Sequence, residues 1–168
     1  MAIVTTASAG MKAAGRSTIL QVRAPLSTAH ATELETTALV ASSPVPVIVS
    51  SRCDIALAAG AAGVNLPEND IPIGAARVLM GERMVGRSVH TLESALRAEG
   101  EGADYVIFGP VWPSASHPAS TPAGINALAD VAHALRIPVL AIGGVTEGRI
   151  AECHAAGAAG FAAIGLFE

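Results

Sequence analysis

Two glycine features near the C-terminus carry the strongest chemical signal in this sequence of 168 residues. Each follows an apolar run of strand length, at residues 141–145 (A-I-G-G-V) and 163–165 (A-I-G). Because glycine has no side chain, its backbone N–H group can approach a phosphate closely. A tight turn with no ligand is the alternative interpretation of Gly143 and Gly144. The predicted phosphate-binding residues are Gly143, Gly144, Ile164 and Gly165.

Polar side chains follow the other apolar runs, where a substrate would be held. The segment 109–124 is long and rich in hydroxyl groups, and such segments often form lids or binding loops, although a solvated Ser/Pro loop is the alternative. Histidine transfers protons near neutral pH, so His117 in this segment could shuttle a proton, and His90 also lies near the expected edge of the site. The predicted substrate-binding residues are Gln21, Arg23, Ser50, Asn65, Ser114 and Ser116, and the predicted catalytic residues are His117, Ser88 and His90.

Other kinds of active site find few residues to build on. The single lysine, Lys12, lies in a polar stretch and does not suit Schiff-base chemistry. Cys53 and Cys153 stand alone, which argues against a disulfide framework or a zinc site. Asp70 is the one aspartate expected beside the ligand, apart from Asp54 at a helix start. A metal site with two or three carboxylates is therefore not favoured.

Composition and charge exclude several classes of partner. The chain is 51% hydrophobic and 14% charged with a net charge of -4, and it has no basic run. Nucleic acid and anionic membrane surfaces are therefore not expected partners. The N-terminus lacks the basic and apolar regions of a secretory signal, and no apolar stretch reaches the about 18 residues of a membrane span. We expect a soluble cytoplasmic protein.

Short apolar runs recur along the chain and alternate with stretches that suit helices. Continuous apolar strands separated by helices are typical of a parallel sheet that helices cover. Eight such units close most naturally into a (β/α)8 barrel, with an open doubly wound sheet as the alternative. The predicted strands are 3–5, 19–22, 46–49, 63–66, 84–88, 105–108, 138–142 and 160–164.

Helix patterns and chain length refine this prediction. Apolar residues at spacings of three and four predict helices over 28–40, 92–99 and 125–135, and Gly102 and Gly157 suit helix C-caps. Barrels of this kind usually have about 200 to 250 residues, so 168 residues require trimmed helices. We predict a compact (β/α)8 TIM barrel with shortened helices, formed by residues 1–168 as a single domain.

Six segments carry motifs of one enzyme family. They are 20–23 (family Q-L-R-E-K), 48–57 (I-I-N-D-R-x-D-L-A-L), 63–70 (G-V-H-L-G-Q-E-D), 86–90 (G-R-S-V-H), 102–113 (G-A-D-Y-I-x-F-G-P-I-F-P) and 141–145 (A-I-G-G-I). In order, they resemble the thiamine phosphate synthases and their sister group, the thiazole tautomerases. The match is collinear over nearly the whole chain, and residues 86–90 are closest to the tautomerase form.

The resemblance also shows where this sequence departs from the synthases. In a synthase, a thiazole phosphate attacks a pyrimidine-methyl pyrophosphate with help from Mg²⁺ and lysine side chains. Here Pro25 replaces one family lysine, Ser50 and Ser51 replace the family's Asn-Asp pair, and Ser114-Ala115-Ser116-His117 replaces T-P-T-K. Arg23, Ser88 and Asp70 are kept. Under the synthase interpretation alone, Asp70 would bind Mg²⁺.

The resemblance therefore implies first a tautomerase-type isomerase, which acts on a thiazole phosphate without a cofactor. Pro110 stands where characterised tautomerases carry their histidine, so His117 or His90 would move the proton. Two alternatives remain: a thiamine phosphate synthase, and a non-catalytic paralogue that binds a phosphate ligand. The expected partner is a small phosphorylated heterocycle, and the Ala-rich outer faces favour a homo-oligomer.

Overall fold

Eight parallel strands form one sheet in the computed structural model, which describes residues 1–114 and 121–167. Each strand pairs with the next in the chain. The Ile3 N–H donates to the Ala163 carbonyl at 2.9 Å and brings the last strand back to the first. The (β/α)8 barrel is therefore confirmed over the open sheet. The strands are β1 (Ala2–Val4), β2 (Leu20–Val22), β3 (Val47–Ser50), β4 (Gly63–Leu66), β5 (Met84–Val89), β6 (Tyr105–Phe108), β7 (Val139–Ile142) and β8 (Gly160–Ala162).

Seven α-helices of the described residues connect the strands, and all but one have 11 residues or fewer. Gly102 and Gly157 have φ of +91° and +88°, as their predicted place at helix ends requires. No helix in the described ranges is long and apolar enough to cross a membrane. The helices are α1 (Ala7–Ala14), α2 (Ala29–Ser42), α3 (Cys53–Ala58), α4 (Ile73–Met80), α5 (Leu92–Gly100), α6 (Gly124–Ala134) and α7 (Ile150–Ala155), with 3₁₀ turns at Glu147–Arg149 and Gly165–Phe167.

Side chains alternate between the inside of the barrel and the helix layer, as the pleat of a strand requires. Ile48, Tyr105 and Ile107 belong to the cluster that fills the inside, while Val64 and Val106 belong to the cluster under the helices. The inside positions nearer the carboxyl ends of the strands include polar residues. Apolar side chains therefore fill the lower part of the barrel. Polar side chains line its opening at the carboxyl ends of the strands, where ligands bind in this fold.

Candidate active site at the carboxyl ends of the strands

A cavity of about 940 Å³ opens at the carboxyl ends of the strands. This volume lies at the upper end of the range of about 300 to 1,000 Å³ for small-molecule sites. Most of the predicted site residues line this cavity, and their roles remain predictions. Ser116 and His117 lie outside the described residues. The predicted residues that line the cavity are Gln21, Arg23, Ser50, Asn65, Ser88, His90, Ser114, Gly143, Gly144, Ile164 and Gly165.

The loop after β7 forms one side of this cavity and is held in a fixed conformation. Gly143 and Gly144 have φ of +90° and +65°, which is the left-handed region that side chains disfavour. Arg149 donates from Nη1 to the Gly144 carbonyl at 2.7 Å, and its guanidinium lies 5.0 Å from the ring centre of Trp112. The two glycines therefore make a tight turn and also face the cavity, so the two interpretations of this motif are compatible.

Two buried amide side chains, Gln21 and Asn65, lie at the wall formed by β2 to β5. Asn65 donates from Nδ2 to the Ser88 hydroxyl at 2.9 Å, and both amides are 2% exposed. Gln21 Oε1 and Asn65 Oδ1 have no hydrogen-bond partner within the described part of the chain. An unsatisfied buried acceptor costs about 1 to 3 kcal/mol. A bound ligand with N–H or O–H donors would satisfy these oxygens.

Glu68 is a cavity residue that the sequence places at the ligand edge but to which it assigns no role. Its Oε2 lies 4.0 Å from His90 Nε2, and its Oε1 accepts from the His90 backbone N–H at 3.3 Å. The His90 Nδ1 contacts the Gly109 carbonyl on its other side. Glu68 lies in a loop, where no periodicity shows which way a side chain turns. The one signal was its position where the related motif carries glutamine.

The β4–α4 loop that carries Glu68 is anchored by the buried side chain of Arg87, which is 5% exposed. Arg87 donates to the carbonyls of Pro67 and Ile71, both at 2.6 Å, and more weakly to that of Glu68 at 3.4 Å. Burial lowers the pKa of this guanidinium. Because its partners are main-chain carbonyls on both sides of Glu68, Arg87 fixes the path of the loop.

Replacing Arg87 with methionine is expected to lower the free energy of unfolding by about 3 kcal/mol. The variant removes the hydrogen bonds from the guanidinium to the carbonyls of Pro67 and Ile71, and a hydrogen bond to a charged group contributes about 1.5 to 3 kcal/mol. Urea unfolding followed by circular dichroism measures the loss. Arg83→Met, at an exposed position, is the control and should stay within about 0.5 kcal/mol of the wild type. Equal losses in the two variants would contradict the anchoring role.

Asp70 differs from its predicted position, because it lines a separate small cleft and not the main cavity. Its carboxylate contacts the Ser51 hydroxyl and accepts from the Ile71 N–H at 2.7 Å. These contacts direct the carboxylate away from the main cavity. Asp54 is engaged by Arg52 through an Nε–Oδ1 hydrogen bond of 2.8 Å. The described residues contain no group of three His, Cys, Asp or Glu side chains placed to hold a metal.

Several known proteins are similar in sequence to this chain. A relative from Aquifex aeolicus, named putative thiamine-phosphate synthase 2, is 41% identical over 121 residues, covering 72% of this chain and 65% of the relative. The thiamine-phosphate synthase of Chloroflexus aurantiacus is 39% identical over 132 residues, covering 78% and 61%. The putative thiamine-phosphate synthase of Geobacter sulfurreducens is 47% identical over 120 residues, covering 70% and 56%. The chain thus spans 56–65% of the length of these relatives.

A solved structure and a family profile agree with these relatives. Thiamine phosphate pyrophosphorylase from Pyrococcus furiosus superposes with a TM-score of 0.88 at 29% identity, covering 97% of this chain and 84% of that one. The profile of the thiamine monophosphate synthase family matches residues 3–167. The chain belongs to the thiamine monophosphate synthase family.

Proposed function

We propose that this protein is a transferase of the thiamine-phosphate synthase type, which joins a thiazole phosphate to a pyrimidine-methyl pyrophosphate. The observation that carries the proposal is a single cavity in which the glycine loops after β7 and β8 face the polar wall formed by β2 to β5. A cavity of about 940 Å³ has room for two small substrates. The names of the relatives favour this activity over the isomerase that the sequence alone ranked first.

The glycine loops give the thiazole phosphate its place. Backbone N–H groups at Gly143, Gly144 and Gly165 suit the phosphate, since no side chain blocks their approach. The thiazole ring then projects into the cavity, with its nitrogen towards the wall that holds the second substrate. Fixing two reactants in one geometry removes much of the entropic cost of their encounter.

The opposite wall suits the second substrate. Arg23 and Ser88 line the cavity and would bind the pyrophosphate through the guanidinium and the hydroxyl, while Gln21 and Asn65 offer acceptors to its heterocycle. In the reaction, the thiazole nitrogen forms a bond to the methylene carbon while the bond from carbon to pyrophosphate oxygen breaks. The electron pair leaves with the pyrophosphate, whose charge Arg23 stabilises.

Isomerisation of a carboxylated thiazole phosphate is the second candidate, and the contact between Glu68 and His90 favours it. Aromatising an exocyclic thiazole tautomer needs a proton removed at one ring atom and delivered at another. A histidine beside a carboxylate can do this without a cofactor.

The decisive experiment incubates the purified protein with both substrates, with and without Mg²⁺, and measures thiamine phosphate and pyrophosphate. We expect the two products in equal amounts. Arg23→Gln should lower coupling about 10- to 100-fold, because a hydrogen bond to a charged group contributes about 1.5 to 3 kcal/mol. Calorimetry should show unchanged binding of the thiazole phosphate to this variant.

Three other outcomes would contradict the transferase. NMR that shows the carboxylated thiazole phosphate isomerising, with no coupling, would establish the second candidate. Binding of thiazole phosphate without turnover of either kind would indicate a non-catalytic paralogue. If the protein does not bind thiazole phosphate, the proposed identity of the ligand is wrong.

A homo-oligomer in the cytoplasm remains part of the proposal. Val78 and Leu79 on α4 are 85% and 54% exposed, and such apolar surface is often covered by another subunit. The expected ligands are small phosphorylated heterocycles.

A further inference from the structure

We propose that Arg149 is a positioning residue for the phosphate site, because it fixes a peptide unit whose N–H group faces the phosphate. The inference rests on the proposed binding of thiazole phosphate at the loop after β7. It also gives Trp112 a role, since the Trp112 ring supports the Arg149 side chain. Neither residue lines the cavity, so both act through the loop and not on the ligand.

The carbonyl groups of Gly143 and Gly144 both accept hydrogen bonds from residues outside the turn. The Trp112 backbone N–H donates to the Gly143 carbonyl at 3.1 Å, and Arg149 donates from Nη1 to the Gly144 carbonyl at 2.7 Å. The second of these has a charged donor, and such hydrogen bonds are about twice as strong as neutral ones. Arg149 therefore holds the Gly144 carbonyl more firmly than a backbone donor would.

The direction of these carbonyls also fixes two N–H groups. A peptide unit is planar, and in the trans form its C=O and N–H groups point in opposite directions. Both peptide units between residues 143 and 145 are trans. The bond from Arg149 to the Gly144 carbonyl therefore makes the Val145 N–H point away from Arg149. In the same way, the bond to the Gly143 carbonyl fixes the Gly144 N–H.

These two N–H groups are available to a ligand. Those of Gly144 and Val145 donate to no group within residues 1–114 and 121–167, and both residues line the cavity. Successive N–H groups in a turn form a concave site that suits an anion. The proposed phosphate would supply the acceptors that the protein does not.

Trp112 supports Arg149 and joins a second loop to the site. The guanidinium carbon lies 5.0 Å from the ring centre, within the about 6 Å of a cation–π contact. The ring packs against the apolar cluster under the helices, which gives the guanidinium a fixed surface. The neighbouring Val111 N–H donates to the Ile142 carbonyl at 2.8 Å. The loops after β6 and β7 are therefore linked by main chain and by Arg149.

Arg149 also keeps its charge unpaired beside the site. Glu147, on the same 3₁₀ turn, pairs with Arg16 at 3.3 Å. Among the residues that the structure describes, no carboxylate lies within 4 Å of the Arg149 guanidinium. Its partners are a carbonyl and an aromatic ring, which orient a cation without cancelling its charge. The charge therefore adds to the attraction for a phosphate on the other side of the Gly144 peptide unit.

The first test compares binding of thiazole phosphate with binding of the unphosphorylated thiazole alcohol, both by NMR titration. Residues that orient the direct ligands of a bound ion typically change its affinity about 10- to 100-fold. Arg149→Met should weaken binding of the phosphate by a factor in this range and leave binding of the alcohol within about twofold. A merely structural role would weaken both ligands by the same factor.

Two further variants separate position from charge. Arg149→Lys keeps the charge but lacks the planar group that stacks on a ring while it donates to a carbonyl. We expect its affinity for thiazole phosphate to lie between those of Arg149→Met and the wild type. Wild-type affinity in Arg149→Lys would overturn the positioning role, because charge alone would then suffice. Arg16→Met removes the same charge at an exposed ion pair and should stay within about twofold of the wild type.

A second measurement needs no variant. Trp112 is the single tryptophan of the chain, so its fluorescence reports on this contact without a label. We expect a saturable change in its emission when thiazole phosphate or inorganic phosphate is added to the wild type. If the wild type binds thiazole phosphate with no change in emission, the link to Trp112 is wrong, even if Arg149→Met fails to fold.

The wild type distinguishes failure of this inference from failure of the proposed function. If the wild type does not bind thiazole phosphate, the proposed ligand is wrong, and the role of Arg149 falls with it. If the wild type binds it and Arg149→Met binds it equally well, the ligand stands and this inference is wrong.

Discussion

Replacing Gly143 with alanine is expected to weaken binding of the thiazole phosphate at least 100-fold. Gly143 has φ of +90°, and a Cβ built there would lie 2.6 Å from both Cα and Cβ of Pro110. Real Cβ atoms do not approach other atoms so closely, and a side chain at this φ costs about 1 to 3 kcal/mol in addition. The loop after β7 must therefore move, which shifts its backbone N–H groups from the positions in which we propose that they bind the phosphate.

Calorimetric titration with thiazole phosphate measures this loss, and circular dichroism checks that the variant is folded. Gly148→Ala, on the 3₁₀ turn Glu147–Arg149, is the matched control. A Cβ at Gly148 meets no heavy atom within 4 Å, so its affinity should stay within about twofold of the wild type. Wild-type affinity in Gly143→Ala would show that this loop does not bind the phosphate.

Replacing Gly63 with alanine is expected to lower the free energy of unfolding by about 3 kcal/mol. Gly63 pairs with Met84 across β4 and β5, and a Cβ there would lie 2.2 Å from the Met84 carbonyl oxygen. Overpacking a core typically costs about 1 to 3 kcal/mol, and here the obstacle is main chain, which cannot rotate away. Because Asn65 and Ser88 lie further along these two strands, the wall of the cavity should also be disturbed.

Urea unfolding of Gly63→Ala and of a control on α4 tests this expectation. Gly74 lies in that helix with open space where a Cβ would stand. Alanine is a better helix former than glycine by about 1 kcal/mol, so Gly74→Ala should be neutral or more stable than the wild type. A Gly63→Ala protein as stable as Gly74→Ala would mean that β4 and β5 can separate without cost.

The sequence by itself determined the order of the elements and the edge of the barrel that carries the site. The run predicted at 105–108 coincides with β6, and that at 63–66 coincides with β4. Strands buried on both faces read as continuous apolar runs, and helix ends carry their own glycine signal. Since the carboxyl ends of parallel strands share one edge, most of the residues singled out after the runs face one cavity.

The sequence was a weaker guide to the choice between synthase and isomerase activity. The lost lysines and the Ser50-Ser51 pair argued against pyrophosphate displacement, while the named relatives favour a synthase. The substitution of a family lysine shows that a charged side chain is absent from the site. It does not show which other residue supplies the charge, because that residue can come from any of the eight loops.

Only the tertiary structure decided how the loop side chains pair. The contact between Glu68 and His90 joins residues 22 positions apart, and the Ser51 hydroxyl draws Asp70 away from the main cavity. The buried Arg87 anchors that loop through main-chain carbonyls, which leave no trace in the pattern of residue types. Strand pattern and helix ends depend on near neighbours in the chain. The direction of a loop side chain depends on contacts with distant segments, which exist only once the barrel has closed.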